Sequence, residues 1–211
     1  MSEGSTAKCK QCRREGTKLF LRGERCNSSK CAMVKRNYIP GVHGTKLGRG
    51  SRLTGYGTQL REKQKAKRTY GLREKQFKNY FDKAINKDGE TGDNMFYLLE
   101  SRFDNVVYKA GFAPSRATAR QLISHAHLLI NGKKVNIPSY QMKVKDKITI
   151  REKSLQAGPF KDLVEKLKNH EAPEWLVVDL KQMEITVIDK PNLKNETPAF
   201  ELTHIIEFYS K

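Results

Sequence analysis

Ser115-Arg116-Ala117-Thr118-Ala119-Arg120-Gln121-Leu122-Ile123-Ser124-His125, followed after two residues by Leu128-Leu129-Ile130-Asn131-Gly132-Lys133-Lys134-Val135, reads as a basic helix feeding a tight β-hairpin. Ser115 is an N-cap residue type, able to accept one of the orphan backbone N–H groups at a helix start. Ala119, Leu122, Ile123 and Ala126 recur at helical spacing and define one buried face. Arg116 and Arg120 are four apart and share another face. Asn131-Gly132 between two β-prone runs is a strong hairpin signal, because a primed two-residue turn needs positive φ twice. A cation-bearing helix beside a rigid turn that carries Lys133 and Lys134 suits a phosphate backbone.

Charge points the same way. The 211 residues carry 41 Lys and Arg against 23 Asp and Glu, a formal net charge of +18, with 37% apolar residues. Such a charge self-repels unless a polyanion meets it. It is unevenly placed: residues 1–45 are net +7, residues 46–78 net +9 and residues 95–153 net +7, whereas residues 154–211 are net −3. The polyanion is expected on the first two-thirds of the chain. No apolar run reaches the length of a membrane span, and Met1 to Lys8 lacks the apolar core of a signal peptide, so the cell interior is the expected compartment and no membrane partner is expected.

The four cysteines fall in two pairs, Cys9-Lys10-Gln11-Cys12 and Cys26-Asn27-Ser28-Ser29-Lys30-Cys31, with 13 residues between the pairs. Both internal spacings suit metal ligation, and a reducing compartment disfavours disulfides. One structural Zn²⁺ held by Cys9, Cys12, Cys26 and Cys31 is the simplest reading. An iron–sulfur cluster uses the same ligands, and two disulfides or four unrelated thiols are the remaining alternatives.

Thr45 to Gly57 is glycine-rich and basic, which predicts a mobile loop bearing Lys46, Arg49 and Arg52. Gln59 to Tyr70 reads as a helix whose lysines and arginines run nearly all round, so it needs a partner, and phosphates on Arg61, Lys63, Lys65, Lys67 and Arg68 would serve. Leu72 to Lys87 reads as a second helix with Leu72, Phe77, Phe81 and Ile85 inward. Asp88 to Asp93 is a turn-rich acidic linker and an expected boundary. Phe96 to Ala110 reads as one helix with Phe96, Leu99, Phe103, Val106, Val107 and Ala110 buried. Met142 to Ile150 alternates as strands do around a turn. Pro159 to Asn169 reads as a helix with Leu163, Val164 and Leu167 on one side. Trp175–Asp179 and Glu184–Ile188 read as a hairpin extending the sheet.

Arg102-Phe103-Asp104-Asn105-Val106-Val107-Tyr108, Gly111-Phe112, Ser115-Arg116, Ala119-Arg120-Gln121-Leu122, Val135-Asn136-Ile137-Pro138-Ser139-Tyr140 and Asp146-Lys147-Ile148 resemble the S-four RNA-binding domain. Tyr56 to Lys65, Arg13 to Gly23, Pro40 to Gly44 and the tail Ile205 to Lys211 extend the resemblance to the S-four family of small-ribosomal-subunit proteins, in its cysteine-containing branch. Lys145 stands where that family usually has glycine. The resemblance implies an α+β chain: an N-terminal zinc knuckle with a helical domain, plus an inserted S-four-type α/β domain with an antiparallel sheet. The expected division is 1–44 for the knuckle region, 45–93 for the basic helical region, joined with the tail 195–211, and 94–194 for the S-four domain and its sheet extension.

The resemblance further implies a structural constituent of the small ribosomal subunit in the cytoplasm. It would bind the 5′ domain junction of small-subunit rRNA early in assembly, neighbour the S-five and S-three proteins, contribute to the mRNA entrance and influence decoding accuracy. The expected RNA contacts are Lys10, Arg13, Arg14, Arg22, Lys46, Arg49, Arg52, Arg61, Lys63, Lys65, Arg68, Arg73, Arg116, Arg120, Gln121, His125, Asn131, Lys133 and Lys134, with Lys46, Arg49 and Arg52 toward mRNA. His43 reads as a loop histidine near RNA. Reversing charge at Arg116 and Arg120 is expected to weaken RNA binding without unfolding the chain. None of the five histidines sits in a nucleophile motif with Ser or Cys, and no phosphate-cradling or zinc-protease motif is present, so no catalysis and no small-molecule substrate are expected. The alternative reading is a free-standing zinc-containing RNA-binding regulator.

Overall fold

The computed structural model describes residues 8–42, 44, 53–156, 158–161, 163–168 and 170–210. The chain forms two compact units, one of residues Met1–Asn86 with Pro198–Lys211 and one of Lys87–Thr197.

The first unit begins with three short helices, α1 (Lys8–Glu15), α2 (Glu24–Asn27) and α3 (Ala32–Lys35). A long helix α4 (Gly55–Thr69) follows, then α5 (Glu74–Ile85), and the chain's last helix α12 (Leu202–Tyr209) returns to this unit. Helix α4 starts four residues earlier than its sequence suggests. Thr54 accepts a hydrogen bond from the Gly57 N–H at 3.2 Å, so Gly55, Tyr56 and Gly57 form its first turn instead of the end of a loop. In α5, Phe77, Phe81 and Ala84 are buried, but Ile85 is exposed at the last turn.

Helix α4 is not polar all round once folded. Ala66 is fully buried, and the rings of α12 cover the neighbouring face. Tyr56 packs on Phe208 with ring centroids 5.7 Å apart, and Tyr209 lies 4.7 Å from Phe81. Polar contacts pin the same tail: Gln59 Nε2 donates to Glu207 at 2.7 Å and the Glu201 N–H to Glu62 at 2.9 Å.

The second unit holds α6 (Thr91–Glu100), α7 (Phe103–Lys109), α8 (Arg116–Ser124), β1 (Leu128–Ile130), β2 (Lys133–Lys134), β3 (Lys147–Ile150), α9 (Glu152–Leu155), α10 (Gly158–Lys161), α11 (Leu163–Lys168), β4 (Leu176–Asp179) and β5 (Glu184–Val187). The stretch read as one helix over Phe96–Ala110 is therefore two. The break at Ser101 and Arg102 comes from pairing with a distant strand-like segment. Arg102 forms an antiparallel bridge with Gln141, the Phe103 N–H donates to the Tyr140 carbonyl at 2.8 Å, and the Met142 N–H donates to the Ser101 carbonyl at 2.8 Å.

One antiparallel sheet runs in the order β2-β1-β3-β5-β4. Ile130 pairs with Lys133 and with Ile148, Ile148 with Ile185, and Ile185 with Val178. The inward residues of those strands meet Phe103, Val106, Val107, Leu122, Ile123 and Trp175 in one core. The β4–β5 hairpin extends the sheet as the sequence suggests. Within the Pro159–Asn169 stretch the described residues are helical (α10 and α11), with Leu163 and Leu167 buried and Val164 exposed.

Candidate nucleic-acid interface

Ser115 sits in extended backbone and accepts from the Thr118 N–H at 3.2 Å, which sets the start of α8. Ala119, Leu122, Ile123 and Ala126 are buried as their spacing requires, and this turns Arg116 and Arg120 toward α7. Helix α7 holds both. Arg116 Nε donates to Asn105 Oδ1 at 2.7 Å, and its guanidinium lies 4.5 Å above the Tyr108 ring. Asn105 is fixed in turn by donating to the Glu100 carboxylate at 2.7 Å. Arg120 reaches Asp104 Oδ2 through Nε at 3.1 Å and Nη2 at 2.7 Å. Asp104 also receives Arg102 through Nε at 3.0 Å and Nη2 at 2.8 Å, and both members of that pair are buried.

One carboxylate thus faces two guanidinium groups. Arg120 remains about a third exposed, with a side-chain exposure of 35%. These contacts correct one expectation. Charge reversal at Arg120 would place a second carboxylate against the buried Asp104, so that variant destabilises the fold and cannot report RNA binding alone. Asp104, Asn105 and Tyr108 position the two arginines from α7.

The hairpin follows directly. Asn131 and Gly132 have φ of 49° and 74°, the double positive that the tight turn demands. Lys133 and Lys134 are exposed on β2, and Gln121 and His125 are exposed on and after α8. The His125 and His127 rings lie 6.1 Å apart, and His127 Nδ1 is 3.0 Å from Ser154 Oγ. Asn131 is exposed, but its amide is engaged within the fold: Nδ2 donates to Asp146 at 2.8 Å and Oδ1 accepts the Lys147 N–H at 2.9 Å. It holds the turn with one N–H and one oxygen lone pair of its amide.

In the first unit the expected cations differ in their surroundings. Lys10, Arg14, Arg22 and Arg73 are exposed. Arg13 lies over the Tyr38 ring at 4.5 Å and donates to the Tyr38 carbonyl at 2.9 Å, tying α1 to the segment after α3. Arg61 and Arg68 share the fully buried carboxylate of Glu15, while Lys65 pairs with Glu62 at 2.6 Å. Burial pushes the Glu15 carboxyl above its ordinary value, and the two arginines oppose that.

Lys63 and Lys67 are the correction. Both are buried. Lys63 Nζ donates to Glu74 at 2.6 Å and lies 4.5 Å from the Phe208 ring centre, and Lys67 Nζ is 3.2 Å from Glu74. Their partner comes from α5 and α12, not from a phosphate. Lys46, Arg49, Arg52 and His43 lie outside the described residues.

All four cysteines are free, with Cys12, Cys26 and Cys31 buried. Burial first, and then the charges of Cys26, Cys9 and Cys31, push the Cys12 thiol up, while a backbone hydrogen bond from Leu19 opposes this. The Arg22 N–H points at the Cys26 sulfur at 3.4 Å. Four thiols are a donor type that suits a thiophilic ion, and the Cys26 sulfur already accepts a backbone N–H. Among the described residues, no group of three or more His, Cys, Asp or Glu side chains is drawn together closely enough to hold one. No described helix is long and apolar enough to cross a membrane.

Helix, hairpin and sheet define a class, an RNA-binding module appended to a basic helical unit. A family model described as "Ribosomal protein S4/S9 N-terminal domain" matches residues 5–100, and one described as "S4 domain" matches residues 101–148. A "Small ribosomal subunit protein uS4" from Syntrophomonas wolfei is 50% identical over 203 residues, which is 96% of either chain. Its counterparts from Clostridioides difficile and Nitrosospira multiformis are 49% and 47% identical over 211 residues, the whole of both chains in each case. The chain belongs to the S4 family of small-ribosomal-subunit proteins, a family of structural proteins and not of enzymes.

Proposed function

We propose that this chain is a structural constituent of the small ribosomal subunit that binds its rRNA through both units, early in assembly and at the 5′ domain junction. The observation that carries this is the pairing of α8 with the Asn131-Gly132 hairpin, which fixes Arg116, Arg120, Lys133 and Lys134 on consecutive rigid elements in a family of ribosomal proteins. Affinity comes from phosphate neutralisation and counterion release, and selectivity from the shape of a folded RNA more than from base edges. The exposed Lys10, Arg14, Arg22 and Arg73 supply the contacts of the first unit, with Arg13, Arg61, Lys65 and Arg68 half-buried behind them. Contacts with S-five and S-three proteins, and a place for Lys46, Arg49 and Arg52 at the mRNA entrance, belong to the same reading. So does a location in cytoplasmic ribosomes.

Filter binding to small-subunit rRNA tests this with Lys133→Glu/Lys134→Glu. Both side chains are exposed with no cost to the core, so affinity should fall more than tenfold with the melting temperature unchanged. Unchanged affinity removes the hairpin from the interface.

The same reading includes one structural Zn²⁺ on Cys9, Cys12, Cys26 and Cys31. The donor chemistry, the free state of these four thiols and the Arg22 N–H aimed at Cys26 support it. Bound there, the ion would cross-link α1, α2 and the start of α3 and would supply no reaction chemistry. An iron–sulfur cluster is the competing occupant, separable by metal content and visible absorption.

A further inference from the structure

Lys143 and Lys145 belong to no site described above. They lie in the short turn that precedes β3, both side chains are exposed, and no carboxylate is paired with either among the described residues. Their neighbour Lys147 differs, because its Nζ is held by Glu184 at 2.7 Å.

Two observations set this turn apart from an ordinary solvated loop. The first is its attachment. Asp146 is buried and spends one oxygen on each of two turns: Oδ1 accepts Asn131 Nδ2 at 2.8 Å and Oδ2 accepts the Lys143 N–H at 2.8 Å. The Asn131 N–H donates to the Lys147 carbonyl at 2.8 Å, and the Lys145 N–H donates to the Val187 carbonyl at 2.8 Å. The hairpin carrying Lys133 and Lys134 and the turn carrying Lys143 and Lys145 are therefore one rigid piece at one end of the sheet. The second observation is conformational. Lys145 has a φ of 74°, in the left-handed region that favours glycine. An L-residue is strained there, so the fold keeps a long cation where glycine would be more stable.

We propose that the Lys143–Asp146 turn is a second phosphate-contacting loop, and that Lys143 and Lys145 join Lys133 and Lys134 in a four-lysine patch on the rRNA backbone. Asp146 is its positioning residue. Locking the two turns together prepays the ordering of the patch, so the lysines meet phosphates without further loss of backbone freedom. The proposal rests on the reading of the β1–β2 hairpin as an RNA-facing element.

The test titrates full-length chain against in vitro transcribed small-subunit rRNA over a range of salt. Lys145→Gly removes the charge and relieves the backbone, so its melting temperature should equal or exceed that of the parent. Its affinity should nonetheless fall several-fold, and the slope of log K against log salt should become shallower by about 1, the signature of one lost phosphate contact. Lys145→Gln, which keeps the strained backbone, should show the same slope. Lys143→Ala/Lys145→Gly should lose about 2. Lys133→Ala/Lys134→Ala is measured alongside. Parental affinity and slope in the Lys145 variants, with loss in the hairpin variant, overturn the second loop and leave the hairpin reading standing. Parental behaviour in both overturns both.

Discussion

Lys63 shows how a single side chain can mislead a sequence reading. It sits in the most basic run of the chain, yet it is 5% exposed, clamped by Glu74 and capped by the rings of Phe208 and Tyr209. Lys63→Met should therefore leave rRNA affinity within about twofold, since the methionine fills the same apolar slot and no phosphate contact is lost. Its partner Glu74 has a testable titration. Burial acts to raise the Glu74 carboxyl, but the hydrogen bonds from Lys63 and from Tyr209 OH, with the charge of Lys63, outweigh it and leave it below the ordinary 4.5. The same contact pushes the Tyr209 hydroxyl up, behind burial as the larger cause. A depressed carboxyl stabilises the fold above its unfolded-state value and loses that contribution as pH falls through the folded value. Glu74→Gln should thus lower the melting temperature at pH 7, and the difference should vanish as the pH falls below the ordinary carboxyl range and through the folded value. Because Glu74 is about half exposed, solvent screening limits the difference to about 1 kcal/mol or less. A gap that stays constant with pH would show that packing, not charge, holds the tail.

At the scale of elements, what was legible depended on the range of the cause. The Ser115 cap, the buried face of α8 and the Asn131-Gly132 turn each arise within a few residues, and each can be read from the chain. Ser115→Ala should cost about 1 kcal/mol of stability in a denaturant titration through the lost cap. The division of Phe96–Ala110 into α6 and α7 could not be read, because its cause is 35 to 40 residues away, in the backbone pairing of Arg102 and Phe103 with Gln141 and Tyr140. The charge of α4 was opaque for the same reason, since Glu15 and Glu74 come from other helices. Gly111 is another tertiary constraint. Its φ is 82°, and an added Cβ would lie 2.6 Å from His170 Cδ2 and 2.9 Å from Leu167 Cδ2. Gly111→Ala should cost about 2 kcal/mol or more, from backbone strain and overpacking together. A neutral result would mean that α11 yields freely.

For the molecule as a whole, the two units are stabilised differently, and metal removal should separate them. The second unit has a continuous apolar core that includes Phe103, Ile123, Leu128, Ile148, Trp175 and Ile185. The beginning of the first unit has three helices of eight, four and four residues, which are too short to persist unaided, and few buried apolar side chains beyond Leu19 and the cysteines. A cross-link through Cys9, Cys12, Cys26 and Cys31 would replace the missing core, as metal binding does in other small cysteine-rich segments. Chelator, or Cys9→Ser, should therefore raise amide exchange across residues 8–36 while leaving the sheet and the Trp175 fluorescence unchanged. The rRNA affinity should fall through Lys10, Arg13, Arg14 and Arg22 alone, making the salt slope shallower by at most about 4, whereas the contribution of Lys133 and Lys134 persists. Exchange that is unaffected by chelator in protein purified with its metal would mean that Leu19, the Arg13–Tyr38 stack and the buried Glu15 suffice to order this segment, and the ion would then have no structural role.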